Sequence, residues 1–390
     1  MIRLHVALVN RIKHKGIFMF HLIFGIPWLV VAVRFLQPLP WLWSVKAVIA
    51  LILLIASQYH LFNRLSSGSV FSPEFFRPLV IAFNVLMGTI ILLAFLQIAL
   101  DIISLVVWPF KGHFPAVPAG VRYAMGLAAL GLSAFAVSQA IRVPPLKDIE
   151  VAIPGLPPAF DGYQMVQLTD LHISRLFSAE WAKSVVEKTN ALNPDLIVIT
   201  GDLIDGSIQA RSGDIAPLAN LKARDGVITV AGNHEYFFGY EEWMKYYQGL
   251  NMTTLINGHT VLDRNGEKLV IAGVTDLSSS RTPFPQPDIA AALRGAPEQA
   301  PIILLDHQPK EAARNAKMGV ALQLSGHTHG GMVLGLHKLV ARANNGFVSG
   351  FYQVGGMQLY VNNGTALWPG FALRLGKPSE LTRFTLRRAP

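Results

Sequence analysis

Of the 24 acidic residues in this 390-residue chain, only Glu74 and Asp101 lie before residue 145. The same 144 residues carry 11 of the 33 Lys and Arg, and the remainder holds 22 of each sign. A segment of that length with so few charges cannot cover itself with polar surface in water, so the chain must partition between a bilayer and an aqueous domain. The whole formal excess of +9 flanks apolar runs. Basic residues in that setting act as topology signals, so nucleic acid is not an expected partner. There is no cysteine, which excludes disulfides, thiolate metal sites and a cysteine nucleophile.

A helix crosses a bilayer core of about 30 Å with about 20 apolar residues. Four stretches meet that length, at 17–36, 41–62, 79–108 and 121–141. Residues 1–144 are therefore expected to form an all-α bundle of four transmembrane helices, with the lipid bilayer as partner. The first run is too long for a cleaved signal peptide and lacks a small-residue cleavage site. The third extends far enough to place Asp101 at the interface. Trp28, Trp41, Trp43 and Trp108 lie near helix ends, as interfacial anchors do. Arg3, Arg11, Lys13, Lys15, Arg64, Arg77, Arg142 and Lys147 favour a cytoplasmic side for both ends of the bundle, against Arg34, Lys46, Lys111 and Arg122. Residues 145–160 are expected as a linker, since prolines exclude regular helix, with one short strand in "KDIEVAI".

From residue 161 to 390 short β-type runs alternate with helix-like stretches, the signature of a mixed α/β domain. Polar residues fall in order at the strand ends. "YQMVQLTDLH" closes with Asp170 and His172, "DLIVITGD" with Asp202, and "GVITVAGNHE" with Asn233 and His234. "APIILLDHQ" ends in Asp306 and His307, and "VALQLSGHTHGG" in His327 and His329. Loops after strand ends are where a rigid sheet lets side chains converge. Asp with His suits borderline divalent ions such as Mn, Fe or Zn, whereas a calcium site would be nearly all oxygen. Asp202, following a glycine that permits close approach, is the best carboxylate to bridge two ions.

"TDLHIS", "TGDLID", "AGNHEY", "DHQP" and "SGHTHGG" resemble the successive motifs of the calcineurin-like metallophosphoesterase family, in the family's order. "GLPPAFDGYQMVQLTDLHIS" and "FYQVGGMQLYVNNG" are further similar to a bacterial membrane-linked branch grouped with UDP-2,3-diacylglucosamine hydrolases. The resemblance spans about residues 150–390 and implies a four-layer α/β/β/α sandwich. It implies two divalent ions, one held by Asp170, His172 and His329 with Asp202 bridging, the other completed by Asn233, His307 and His327. His234 matches the family's non-ligand catalytic histidine, and a hydroxide shared by the ions is expected to cleave a phosphodiester or pyrophosphate bond without a covalent intermediate. Tethering by the helices favours a lipid-linked or envelope substrate. The alternative is a non-catalytic sensor or scaffold binding a phosphorylated ligand. Relatives of this branch place the catalytic domain outside the cytoplasm, opposite to the charge count. Met332, where those relatives carry a polar residue, makes the rim greasier.

Around these residues several readings stay open. Asp205 is either support for the site or a loop acid, and Asp276 likewise. Glu235 is expected to cap or orient. His259 and His337 are expected to be structural. Arg281, Arg342 and Arg374 are expected at solvated surface rather than on substrate, and "RLGKPSELTRFTLRR" as a terminal strand with a charged face.

Overall fold

The structure, a computed structural model, describes residues 24–389. They form two compact units: a helical one up to Ser138 that also includes Pro369–Leu373, and an α/β one with the rest.

The helical unit contains α1 (Phe24–Leu36), α2 (Trp43–Ser57), α3 (Tyr59–Ser67), α4 (Arg77–Lys111) and α5 (Ala119–Ile141). Helix α1 widens into a π-helical turn over Val31–Leu36, and Pro38 and Pro40 follow, which cannot continue it. Helices α4 and α5 are long and apolar enough to cross a membrane, and α2 with α3, bent by 52°, make a third if they count as one span. The expected 17–36 span begins outside the described residues, and its described part, α1, is shorter than a crossing requires. Among the described residues the structure therefore has two such helices, or up to three, where four were expected. Asp101 accepts a bidentate pair from Arg34 at 3.0 and 3.1 Å and a bond from Gln97 at 2.8 Å. Buried Arg122 donates to Gln97 and to the Arg34 carbonyl. Two of the cations counted against the topology bias are thus committed to one carboxylate and its neighbours.

The α/β unit is built on two six-stranded sheets. The first, in order β1-β12-β2-β3-β4-β5, uses Leu146–Ile153, Leu381–Arg388, Gln164–Leu168, Leu196–Thr200, Val227–Val230 and Met252–Thr254. The second, β10-β11-β9-β8-β7-β6, uses Gly350–Val354, Met357–Val361, Leu322–Ser325, Ile302–Leu305, Glu267–Gly273 and Gly258–Arg264. Alternate residues of each strand point to opposite faces. Met165, Leu196, Val198 and Ile228 meet Ile271, Ile303, Leu305 and Leu324 in one core between the sheets. On the outer face of the second sheet, Val270, Ala272 and Leu304 pack with Ile289, Ala292 and Ala312 from short helices. On the first sheet Val166, Ile197 and Ile199 face the other way and are fully buried, as is most of the apolar stripe Trp181, Ala182, Val185 and Val186 of the helix Ala179–Asn190.

Strand β1 falls in the stretch expected as a linker. It pairs in parallel with β12 along its whole length, so this segment belongs to the sheet. The charged face of β12 is used there: Arg383 and Arg387 pair with Asp148 and Glu150 of β1. The β6–β7 turn holds Asn265 and Gly266 at positive φ, the conformation expected of "RNG".

Within the helical unit, the buried Asn84 amide donates to the Pro369 carbonyl at 2.9 Å, and its oxygen accepts from Ala372 N–H at 2.7 Å. Asn84→Ala removes the acceptor of that N–H and should cost about 1–3 kcal/mol. The check is a lowered thermal-unfolding midpoint of the detergent-solubilised protein.

Candidate metal centre

Register places the site. Leu168 of β2 pairs with Ile199 of β3, and Thr200 pairs with Val230 of β4, so three parallel strands of the first sheet end together. In the second sheet Leu305 pairs with Leu324, and Ser325 with Val361. The loops that follow are tied by backbone bonds across the assembly: Asp170 N–H to Gly201 O, His172 N–H to Asp202 O, Gly326 N–H to His307 O, and Ala366 N–H to Asp170 O. Gln167 of the first sheet donates to Ser325 O of the second. Close packing explains two glycines. A side chain on Gly232 would collide with Asp202, and one on Gly326 with Thr169 and Asp170.

All eight residues singled out in the sequence lie in this region and are buried or nearly so. Asp170, His172 and His329 offer ligand atoms within 4.8 Å of one another, and so do Asp202, His307 and His327. The Asp202 carboxylate reaches both groups, with one oxygen 3.8 Å from His172 Nε2 and 3.3 Å from His307 Nε2. Asn233 Oδ1 lies 2.8 Å from His327 Nδ1 and 3.1 Å from His307 Nε2. His172 Nε2 and His329 Nε2 face each other at 3.3 Å, beside the Asp170 carboxylate. Edges of about 3 to 4 Å between N and O atoms are what ligands at about 2.0–2.2 Å from a shared divalent ion make. Imidazole nitrogens meeting over carboxylates therefore fit a cation, and each must be neutral to bind it.

Asp205 resolves to support. Its carboxylate bonds His234 Nδ1 and also lies 3.2 Å from His172 Nδ1, so one acid fixes the tautomer and direction of two rings. Glu235 orients, as expected. Fully buried, it accepts from the N–H groups of Asp202, Leu203 and Gly232 and from the Tyr247 hydroxyl, clamping the Asp202 turn. Asp276 is buried, accepts from Ser278 N–H and receives the Gln308 amide. His259 binds the Ala292 carbonyl, and His337 accepts from Gly335 N–H, both structural.

Arg374 departs from its expected place. It is 2% exposed, and its guanidinium donates to the carbonyls of His329, Lys377, Asn363 and Ala366. Two arms of the loop network are held by one cation, and burial lowers its pKa to about 10. The sequence carried no signal for this, because every partner is a backbone carbonyl. Arg342 is exposed as expected, and the side chain of Arg281 lies outside the described residues.

The electrostatics divide the histidines. Burial opposes charge on His307, but Asp202, Asp170 and Asp276 hold it well above the usual imidazole range. Burial and the neighbouring His307 push His327 down to about 3, and burial with His172 and Arg374 lowers His329 strongly. Burial also opposes ionisation of Asp202 and Asp205. The surrounding imidazoles outweigh it and keep both carboxyls below the ordinary range. For His234 burial is again overcome, by Asp202 and Asp205, and its pKa rises to about 9.

A family model described as calcineurin-like phosphoesterase matches residues 163–331. A Danio rerio protein named as a transmembrane protein with metallophosphoesterase domain is 32% identical over 66% of this chain and 61% of its own length. The chain thus spans about three fifths of that relative. An uncharacterized metallophosphoesterase of Campylobacter jejuni is 31% identical over 76% of this chain and 78% of its own. Another, from Bacillus subtilis, is 34% identical over 60% and 82%.

Asp205→Ala frees both His172 and His234 to turn and should weaken Mn or Zn binding about 10–100-fold. Isothermal titration of the purified full chain reads this directly.

Proposed function

Since the chain belongs to the calcineurin-like metallophosphoesterase family, we propose that it is a membrane-anchored phosphoesterase that uses two divalent ions to hydrolyse a phosphodiester or pyrophosphate bond. The observation that carries the reading is the placement of one Asp202 oxygen between the Asp170–His172–His329 group and the His307–His327–Asn233 group. In this reading each group holds one ion and Asp202 is shared. Mn, Fe and Zn all suit these N and O ligands. When bound, such ions supply Lewis-acid stabilisation of phosphoryl oxygens and an activated water.

The chain's own residues do the remainder. The Asp205 bond to His234 Nδ1 leaves Nε2 as the group facing the site, 3.9 Å from Asp202. A proton held there is suited to pass to the leaving oxygen. Phe237, its ring 5.3 Å from that of His234, and the loop after His329 supply apolar surface at the rim. The apolar helices favour a substrate held in the bacterial envelope, lipid-linked or membrane-associated.

With Mn, the purified full chain should hydrolyse bis(p-nitrophenyl) phosphate, and chelation or Asp202→Asn should abolish turnover. His234→Ala should lower kcat about 10²–10⁴-fold while bound ion is retained. Undiminished turnover in Asp202→Asn would overturn the mechanism, and stoichiometric ion with no hydrolysis across a phosphoester panel would favour a non-catalytic binder.

A further inference from the structure

The segment that follows His329 does not behave like the surface of a water-soluble domain. Leu334 is 64% and Leu339 61% exposed, and the helix His337–Ala343 has no buried residue. A helix on an aqueous surface ordinarily turns its apolar stripe to the core. Here Leu336, Leu339 and Val340, at the i, i+3 and i+4 positions, share one side and are partly or largely exposed, while exposed Lys338 and Arg342, four apart, share another. Apolar and basic faces together are the makeup of a helix that lies in a membrane interface.

The segment is held, not loose. Val333 bridges to Leu375 and Gly376, and Leu334 N–H donates to Leu375 O at 3.0 Å. Gly331 has no room for a side chain because the His337 backbone lies against it. At the other end Arg374 binds the His329 carbonyl. The exposed leucines are therefore fastened to the loop that carries a candidate ligand.

Charge identifies the occupant. From residue 312 to residue 379 there is no Asp or Glu, while Arg314, Lys317, Lys338, Arg342 and Lys377 fall within it besides the buried Arg374. A stretch of 68 residues free of acid, with exposed lysine and arginine beside exposed leucine, is complementary to an anionic lipid surface.

We propose that residues 332–342 form a lip that enters the headgroup region of an anionic bilayer beside the metal centre. The inference rests on the phosphoesterase reading for its meaning: the substrate is an amphiphilic phosphoester whose headgroup reaches the site while its apolar part stays in the lipid. Lys338 and Arg342 meet lipid phosphates, and Leu334 and Leu339 sit below them.

The cysteine-free sequence makes a clean test. Leu334→Cys, Leu339→Cys and, as a control at another exposed position, Glu298→Cys are each labelled with the environment-sensitive fluorophore NBD. The full chain is then placed in nanodiscs containing phosphatidylglycerol. Emission at 334 and 339 should shift to the blue, and quenching by acyl-chain doxyl lipid should exceed that at 298 at least about twofold, with iodide giving the reverse order. Adding Lys338→Glu and Arg342→Glu, or replacing phosphatidylglycerol by phosphatidylcholine, should reduce the lipid quenching. Emission and iodide quenching at 334 and 339 equal to those at 298 would overturn the proposal. The readout needs no turnover, so it stands apart from hydrolysis of bis(p-nitrophenyl) phosphate: failure of that hydrolysis strikes the enzyme reading and leaves the lip to be decided by quenching.

Discussion

Everything at the candidate metal centre depends on backbone held where side chains resist it. Asp170, His172, Asp202, His327 and His329 all adopt positive φ, between 43° and 67°. For residues with a Cβ that conformation costs roughly 1–2 kcal/mol each, and it persists only where the surroundings over-determine it. The surroundings here are the cross-loop backbone bonds, the Glu235 carboxylate on the N–H groups of Asp202, Leu203 and Gly232, and the Arg374 guanidinium on four carbonyls. The sheets supply rigidity, the buried acid and base transmit it, and the ligands converge as a result. Side chains that would otherwise repel or pair wrongly are kept within a few ångströms of one another.

Much of this was legible because the informative residues are contiguous with strands. A run such as "LIVIT" followed by "GD" declares both the strand and the polar group at its end, so the order of the loops that carry the clustered Asp and His could be read directly. Asp205 stayed open because a carboxylate three residues past a candidate ligand looks the same whether it orients a ring or meets water. Arg374 was hidden for a different reason: its partners are carbonyls from segments remote in sequence, and nothing about "FALRLG" announces them. The β10–β11 hairpin falls in a stretch that carries only a resemblance: "VGGM" makes the turn, but the five-residue strands around it are too short to stand out. Strand β1 was legible in "KDIEVAI", but the prolines on either side gave no sign that its eight residues pair along their whole length and belong to the sheet.

In the helical unit composition foretold apolar helices better than it foretold their number. Length and hydropathy identify α4 and α5, but cannot say that the run at 41–62 bends by 52° or that α1 gives way to a π-turn. Nor does counting cations show which are spent on partners. Arg34 and Arg122 would be costly in lipid alone, and the Asp101 carboxylate with Gln97 gives them a shared set of bonds. A charge tally treats such residues as orientation signals, whereas the structure assigns them to one another.

The strand order β1-β12-β2 carries a consequence for biosynthesis. The last strand of the α/β unit fills the gap between its first two, bonding β1 in parallel and β2 antiparallel. Until those residues leave the ribosome, β2 has a bare flank and β1 has no neighbour. Completion of the first sheet thus waits on the synthesis of β12, more than 200 residues after β2. Phe384 and Leu386, which plug the space between the layers, arrive with it, and a chain stalled before them would present an unsealed sandwich to chaperones or proteases.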